Sequence, residues 1–506
     1  MACVSLSACA LPAVEGGNNS NDRTGGGEQG EALLTGAMTV AEDGNWAVMQ
    51  RNQTSVLLDV GHMTAREMTA QVTRFVFANQ GQHGIALLAD GSLVDYDLKT
   101  LSERWRTRLQ LQGGAAVSLM RLDDADRHLL LGDASGVLVL DAKTGELRQR
   151  VELRSEAREL SFVPGAERAL IVGSTRFVEH QPATEVSELD LVSLGLVSID
   201  VPNCSAPIEV LPDASRALLS PTFCEEGVAS TAQQTWTNPD PVSVIDLSSD
   251  GPRFVKNLPG FGPVALEPSG ALAVAYLDVK RMDPSMFSDP AQVPSPSGPR
   301  YHVMRIDPKT LGFQLFPVGE VLPRFALGRD GRTLLVDATV QQFRGSATAK
   351  ASIDSSGHLS ASFSVFGKVD SLFGTLDLDT GSYAPFAGTP AALDRFVQMG
   401  DAKRVFSLKL RADGTGGDLY RIDLDQNSVV SLGSSLRDVG LLADGATLLL
   451  RERLPAAQVT VGATVSWYRR ERYCLSLDGV TCKVTVDFQD SVPFQTGATC
   501  TDYHDC

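Results

Sequence analysis

Apolar residues along this chain come in short runs broken by polar turns, and the runs keep to a repeating order. One apolar strand leads into a polar turn, a second strand follows, and a third closes on an aspartate. The closing phrase reads Val56-Leu57-Leu58-Asp59, Val94-Asp95-Tyr96-Asp97 and Val137-Leu138-Val139-Leu140-Asp141. It returns as Leu196-Val197-Ser198-Ile199-Asp200, Val242-Ser243-Val244-Ile245-Asp246 and Met304-Arg305-Ile306-Asp307, then as Gly374-Thr375-Leu376-Asp377, Tyr420-Arg421-Ile422-Asp423 and Leu475-Ser476-Leu477-Asp478. The turn between strands one and two recurs in step, as in Pro212-Asp213, Asp330-Gly331 and Asp444-Gly445. Glycine takes positive φ freely and aspartate bonds its own backbone, so both suit tight turns. A fourth strand often follows the aspartate. Arg104 to Leu109 alternates polar and bulky residues, as a half-exposed edge strand should.

Four short antiparallel strands per repeat, with almost no helical periodicity, define an all-β fold, a single β-propeller of four-stranded blades. The nine phrases exceed the roughly four to eight blades of most propellers. About eight blades are expected, with seven to nine compatible with the pattern. A β-helix or a pair of β-sandwiches is the architectural alternative. Asp141-Ala142-Lys143-Thr144-Gly145-Glu146 and Asp377-Leu378-Asp379-Thr380-Gly381 resemble the strand-to-turn phrase of the YVTN-type and quinoprotein-like propeller families. The resemblance spans about 36–488. It implies the fold and no particular activity, because these families host both enzymes and scaffolds.

The repeats differ in length mainly between their second and third strands. Extra residues fall at about 174–193, 225–240, 278–299, 338–368 and 452–466, in the fourth to seventh and the ninth repeats. Strands alternate in direction, so these five insertions should leave from one face of the disc. Loops confined to one face often mark the binding face of a repeat protein. The competing explanation is that loop growth on a surface is cheap, about 0.6 kcal/mol per doubling of length. Trp236, Trp467 and Tyr468 fall in or beside the insertions and are the candidate ligand-binding residues; packing within the loops is their alternative role.

Charge narrows the partners. The net charge is −17, which repels phosphate backbones, and the basic stretch around Tyr468-Arg469-Arg470-Glu471-Arg472 is interrupted by an acid. No nucleic-acid partner is expected. Leu6-Ser7-Ala8-Cys9 resembles the lipobox of bacterial lipoproteins, which implies a lipid anchor on Cys9 and a place in the cell envelope, periplasmic or outer-surface. Residues 1–9 then read as a truncated signal with lipobox, 10–35 as a flexible Gly/Asn/Ser linker, 36–488 as the propeller and 489–506 as a Cys-containing tail. The alternative is a tail with a stray cysteine. Eight cysteines are present, and setting aside Cys3 and Cys9 leaves six. The simplest of fifteen pairings joins neighbours, as Cys204–Cys224, Cys474–Cys482 and Cys500–Cys506. Such bonds persist only in an oxidising compartment.

Chemical motifs are sparse. No haem-attachment, nucleophile-elbow, His-Glu-x-x-His or phosphate-loop pattern occurs, and the seven histidines are scattered. Asp95/Asp97, Asp377/Asp379 and Asp423/Asp425 are acidic pairs, but no full calcium loop surrounds them. The run Cys500 to Cys506, with His504, supplies one metal knuckle where zinc needs two. No adjacent cysteine pair exists of the kind found in quinoprotein dehydrogenases. No catalytic, cofactor or metal residue is assigned. The expectation is a monomeric, non-enzymatic scaffold that binds a protein, glycan or small ligand on the decorated face. The rival is a hydrolase or oxidoreductase with its site at the central channel. A scaffold predicts a neutral channel, and an enzyme predicts His, Asp and Glu converging at its mouth.

Overall fold

The computed structural model describes residues 38–489 apart from 42–45, 51–54, 60–61, 79–81, 110–116, 221–240, 249–250, 320–323, 328–330, 343–347, 354–358, 365–367, 387–394, 399–402, 411–416, 442–447 and 462–463, and apart from the single positions 63, 69, 180, 206, 268, 425, 427, 477 and 481. The described residues form a β-propeller. Seven four-stranded antiparallel sheets follow one another along the chain: 38–68, 72–108, 119–152, 157–201, 208–258, 261–319 and 324–385. A seven-stranded sheet closes the sequence. In it the long strand Ser428–Leu441 pairs with Gly417–Asp423 through its first half and with Leu448–Val461 through its second. It thus serves as fourth strand of an eighth unit and first strand of a ninth. No α-helix occurs among the described residues.

The apolar runs are explained by what lies on either side of each sheet. In the third unit, Leu129 and Leu131 pack toward the second unit with Met120, Ile85 and Leu93. Leu130, between them, packs toward the fourth unit with Leu160, Ile171 and Leu189. A strand buried on both faces must be apolar at every position, which is why it reads as an unbroken run. Comparable clusters join each consecutive pair of units from the first to the ninth. The outer strand is different. Glu103–Arg108 alternates exposed and half-buried positions, as its sequence predicts, and its charges protect an open sheet edge.

The aspartate that ends the third strand builds the turn to the fourth. Asp141 accepts the backbone N–H groups of Lys143 at 2.9 Å and Thr144 at 3.1 Å, and Gly145 follows at φ 71°. Asp97, Asp190, Asp307 and Asp377 accept corresponding bonds from the residues after them. Where a glycine is absent, Leu101, Leu194 and Leu311 take the left-handed conformation instead. Asp97, Asp377 and Asp423 of the acidic pairs are therefore turn architecture, whereas Asp95 is buried within its strand against His83 and Arg104, and Asp425 lies outside the described residues. The N–H of Thr380 and the guanidinium of Arg332 hold the Asp377 carboxyl at about 2.

One phrase is corrected. Leu196–Val201 is the fourth strand of its unit, and the third is Gln181–Asp190. Both stretches end on aspartate after apolar residues, so sequence alone could not separate them. The insertion expected at 174–193 is accordingly mostly strand: Arg168–Val178 and Gln181–Asp190 form one elongated hairpin.

The last unit turns differently. Cys474 and Cys482 are disulfide-bonded across the turn at Asp478-Gly479, with Cα atoms 5.3 Å apart. They sit diagonally, since Cys474 pairs with Thr485 and Cys482 with Ser476. A bond closing so short a loop stabilises by about 2–3 kcal/mol on the chain-entropy model. Replacing both cysteines with serine should lower the melting temperature by a few degrees, and a reducing agent should then have less effect on the variant than on the parent. Equal melting curves for parent and variant would show that the bond contributes nothing.

Candidate functional site

Two regions qualify, the decorated face and the channel. Each described insertion leaves between the second and third strands of its unit, as the sequence predicts. The seventh carries an extra hairpin, Thr348–Ile353 with Leu359–Ser364. The ninth prolongs its own strands to Leu448–Val461 and Thr464–Ser476. The sixth, 279–299, is anchored at its base. Asp278, 2% exposed, accepts two hydrogen bonds from Arg300, at 3.0 and 2.7 Å. Arg300 also lies over the Tyr301 ring at 4.7 Å. Farther out, Asp283 and Asp289 cap two short 3-10 turns that begin at Pro284 and Pro290, and Phe287 packs edge-on against Phe313.

The junction between the fourth and fifth units is locked on the same face. Asn203 is fully buried and donates to the Pro241 carbonyl at 2.7 Å and to Ser243 at 2.9 Å, while its side-chain oxygen accepts the N–H of Cys204. Cys204 is disulfide-bonded. Its expected partner Cys224 lies outside the described residues, as do Cys9, Trp236, Cys500 and Cys506. Trp467 and Tyr468 stand in the prolonged ninth hairpin, opposite Gln458 and Ala457.

The channel is built by first strands. Those of the first six units lie side by side in order, which puts them next to the axis. Arg74, Arg121, Glu159 and Glu209 stand on the first strands of units two to five. The described inner strands of units two to five therefore each carry a charged residue, where a scaffold predicts a neutral channel. Arg121 reaches Glu159 at 3.4 Å. Burial raises the Glu159 carboxyl above its usual range, and Arg121 only partly opposes this. Burial, with the neighbouring charge of Glu159, pushes Glu209 up to about 7. Sequence reasoning missed all four residues. A single polar residue on a short strand reads as solvent-facing, and only alignment of the repeats would have shown four of them on successive inner strands.

Of the described histidines, His302 is buried in Tyr301–Ile306 beside the base of the sixth insertion, and the other three lie elsewhere. His62, His83 and His128 contact Asp59, Asp95 and Asp123 at 2.8–2.9 Å, at the end of the disc opposite the insertions. Arginine can only donate, so at 2.7 Å from Arg148 the Nε2 of His128 accepts, and its Nδ1 donates to Asp123. These pairs brace the strand ends.

No protein-family model matches the chain, and no curated protein sequence matches it. Solved structures do. One described as the crystal structure of the eukaryotic initiation factor is 11% identical, with a TM-score of 0.54 over 88% of this chain and 96% of that one. Two others are the β-propeller domain of Cps50 (Swd1) from Myceliophteria thermophila and the dihydro-heme d1 dehydrogenase NirN in complex with DHE. The first is 8% identical, with a TM-score of 0.36 over 59% of this chain and 92% of that one. The second is 14% identical, with a TM-score of 0.43 over 78% and 74%. At such identities the likeness concerns the fold alone: this chain is a β-propeller protein.

Glu209 makes stability depend on pH. The folded state holds its proton up to about 7 and the unfolded chain only to about 4.5. Between these values the folded protein binds more protons, so its stability falls as pH rises, by up to ~3 kcal/mol from this group. Urea denaturation across this range should show the slope in the parent and a shallower one in Glu209→Gln. Parallel profiles would remove Glu209 from the account.

Proposed function

We propose that this protein is a binding scaffold of the cell envelope, exported as a lipoprotein through Cys9, whose working face carries the five insertions. The observation that supports this most is the common origin of those insertions, all between second and third strands. A rigid disc presenting several loops on one side, the sixth of them anchored at its base, suits a protein, glycan or other ligand too large for the channel. The Asp-x-x-Thr-Gly turns of the third and seventh units favour kinship with YVTN-type and quinoprotein-like propellers. Replacing 279–299 by a two-residue turn, and separately removing the hairpin 348–364, should abolish capture of envelope components by the purified protein. Substitutions on the outer rim should not. Undiminished capture by both loop variants would overturn the reading. Cys9→Ser should move the protein from the membrane fraction to the soluble one, and unchanged fractionation would argue against the anchor.

A second reading is favoured by one observation. A carboxyl poised near neutrality in a channel, as Glu209 is, suits general acid–base chemistry. The propeller would then be a hydrolase or oxidoreductase, and Glu209→Gln would abolish turnover while leaving capture on the decorated face intact.

A further inference from the structure

We propose that the channel wall between Arg74 and Arg121 binds an oxyanion, a carboxylate or phosphate group entering along the axis. The two arginines stand on adjacent inner strands, Val72–Phe77 and Leu119–Leu122. Arg74 is half-buried, and its Nε donates to the Val117 carbonyl at 3.0 Å. Its two terminal nitrogens have no protein partner among the described residues. That is unusual in this molecule, where guanidinium groups are commonly answered by a carboxylate: Arg150 by Asp133, Arg168 by Glu188, Arg300 by Asp278. It is also unusual in a chain of net charge −17. A half-buried cation is ordinarily paired, because desolvation without a counter-charge is costly.

Arg121 does not relieve the deficit. It adds a second positive charge nearby; burial above all, and then that charge, lowers the affinity of Arg74 for its own proton. Its one carboxylate contact among the described residues, Glu159, is long at 3.4 Å and made through a single nitrogen, and the other terminal nitrogen donates to the Met120 carbonyl at 3.3 Å. Two guanidinium groups with unspent donors on adjacent inner strands match the planar oxygens of a carboxylate or two oxygens of a phosphate. Glu159, in contact with Arg121, and Glu209 beyond it bound the site on the side of the fourth unit and would confine the ligand to units two and three. This site does not depend on the decorated face or on the lipid anchor.

Isothermal titration of the full chain at neutral pH and low salt, with inorganic phosphate and separately with succinate, tests the proposal and tells the two chemistries apart. At least one should bind. Arg74→Gln and Arg121→Gln should each weaken binding about tenfold or more, with Arg74→Lys losing less. Glu159→Gln should tighten it, and Arg108→Gln, on the outer rim, should leave it unchanged. Absence of binding by both probes would overturn the proposal, and so would binding that neither Gln substitution weakens. If Arg74→Gln does not fold, Arg121→Gln decides, since that side chain is 49% exposed.

Discussion

Burial of both faces of each sheet is the constraint from which the rest of this molecule follows. A four-stranded sheet packed on one side could alternate apolar and polar residues. Here the second and third strands face a neighbour on each side, and Leu129, Leu130 and Leu131 serve two seams within three residues. No unit can bury its faces alone, so stability grows by adding neighbours. Cutting one side chain in such a seam opens a cavity that sheets on both sides must absorb. The inner and outer strands escape this demand. The inner ones turn an edge to the channel and the outer ones to solvent, and both admit charged residues.

The same constraint explains what was legible in the sequence. The second and third strands stand out as unbroken apolar runs, and eight of the nine aspartate phrases sit where they were read. The ninth, around Asp200, failed because an outer strand happened to copy the pattern. Fold class and the origin of the insertions were legible for the same reason. The channel was not. Its chemistry rests on one residue per strand, each unremarkable in its own segment, and Glu159 acquires meaning only from Arg121 and Glu209 in neighbouring units. Charges brought together across repeats leave no local signal.

The two faces of the disc are unequal because their interlocks between units use different segments: the decorated face locks through the links between units, as Asn203 does on Pro241 and Ser243, and leaves the connections between second and third strands free. On the undecorated face, the turn between third and fourth strands is gripped by the preceding unit. A Cβ on Gly145 would meet the Trp105 ring at 2.6 Å, and one on Gly381 would meet Phe316 at 3.1 Å. Arg216 donates to the carbonyls of Pro308 and Lys309 at 2.6 Å, and Arg66 to that of Lys99. A longer turn there would break these grips. The connection between second and third strands bears no such duty in the third unit, where Asp133 simply caps a tight turn and pairs with Arg150. Growth at that connection leaves the seams untouched, so this is where the fold tolerates variation. Loop position alone therefore reflects packing as well as function. What separates the sixth insertion from idle growth is its anchoring: a buried bidentate ion pair, two capped turns and an aromatic contact hold 279–299 in one shape. Ordering a loop costs about 1–2 kcal/mol per residue in backbone entropy. A surface that merely tolerated length would not need those contacts, whereas one that presents a defined shape to a partner does.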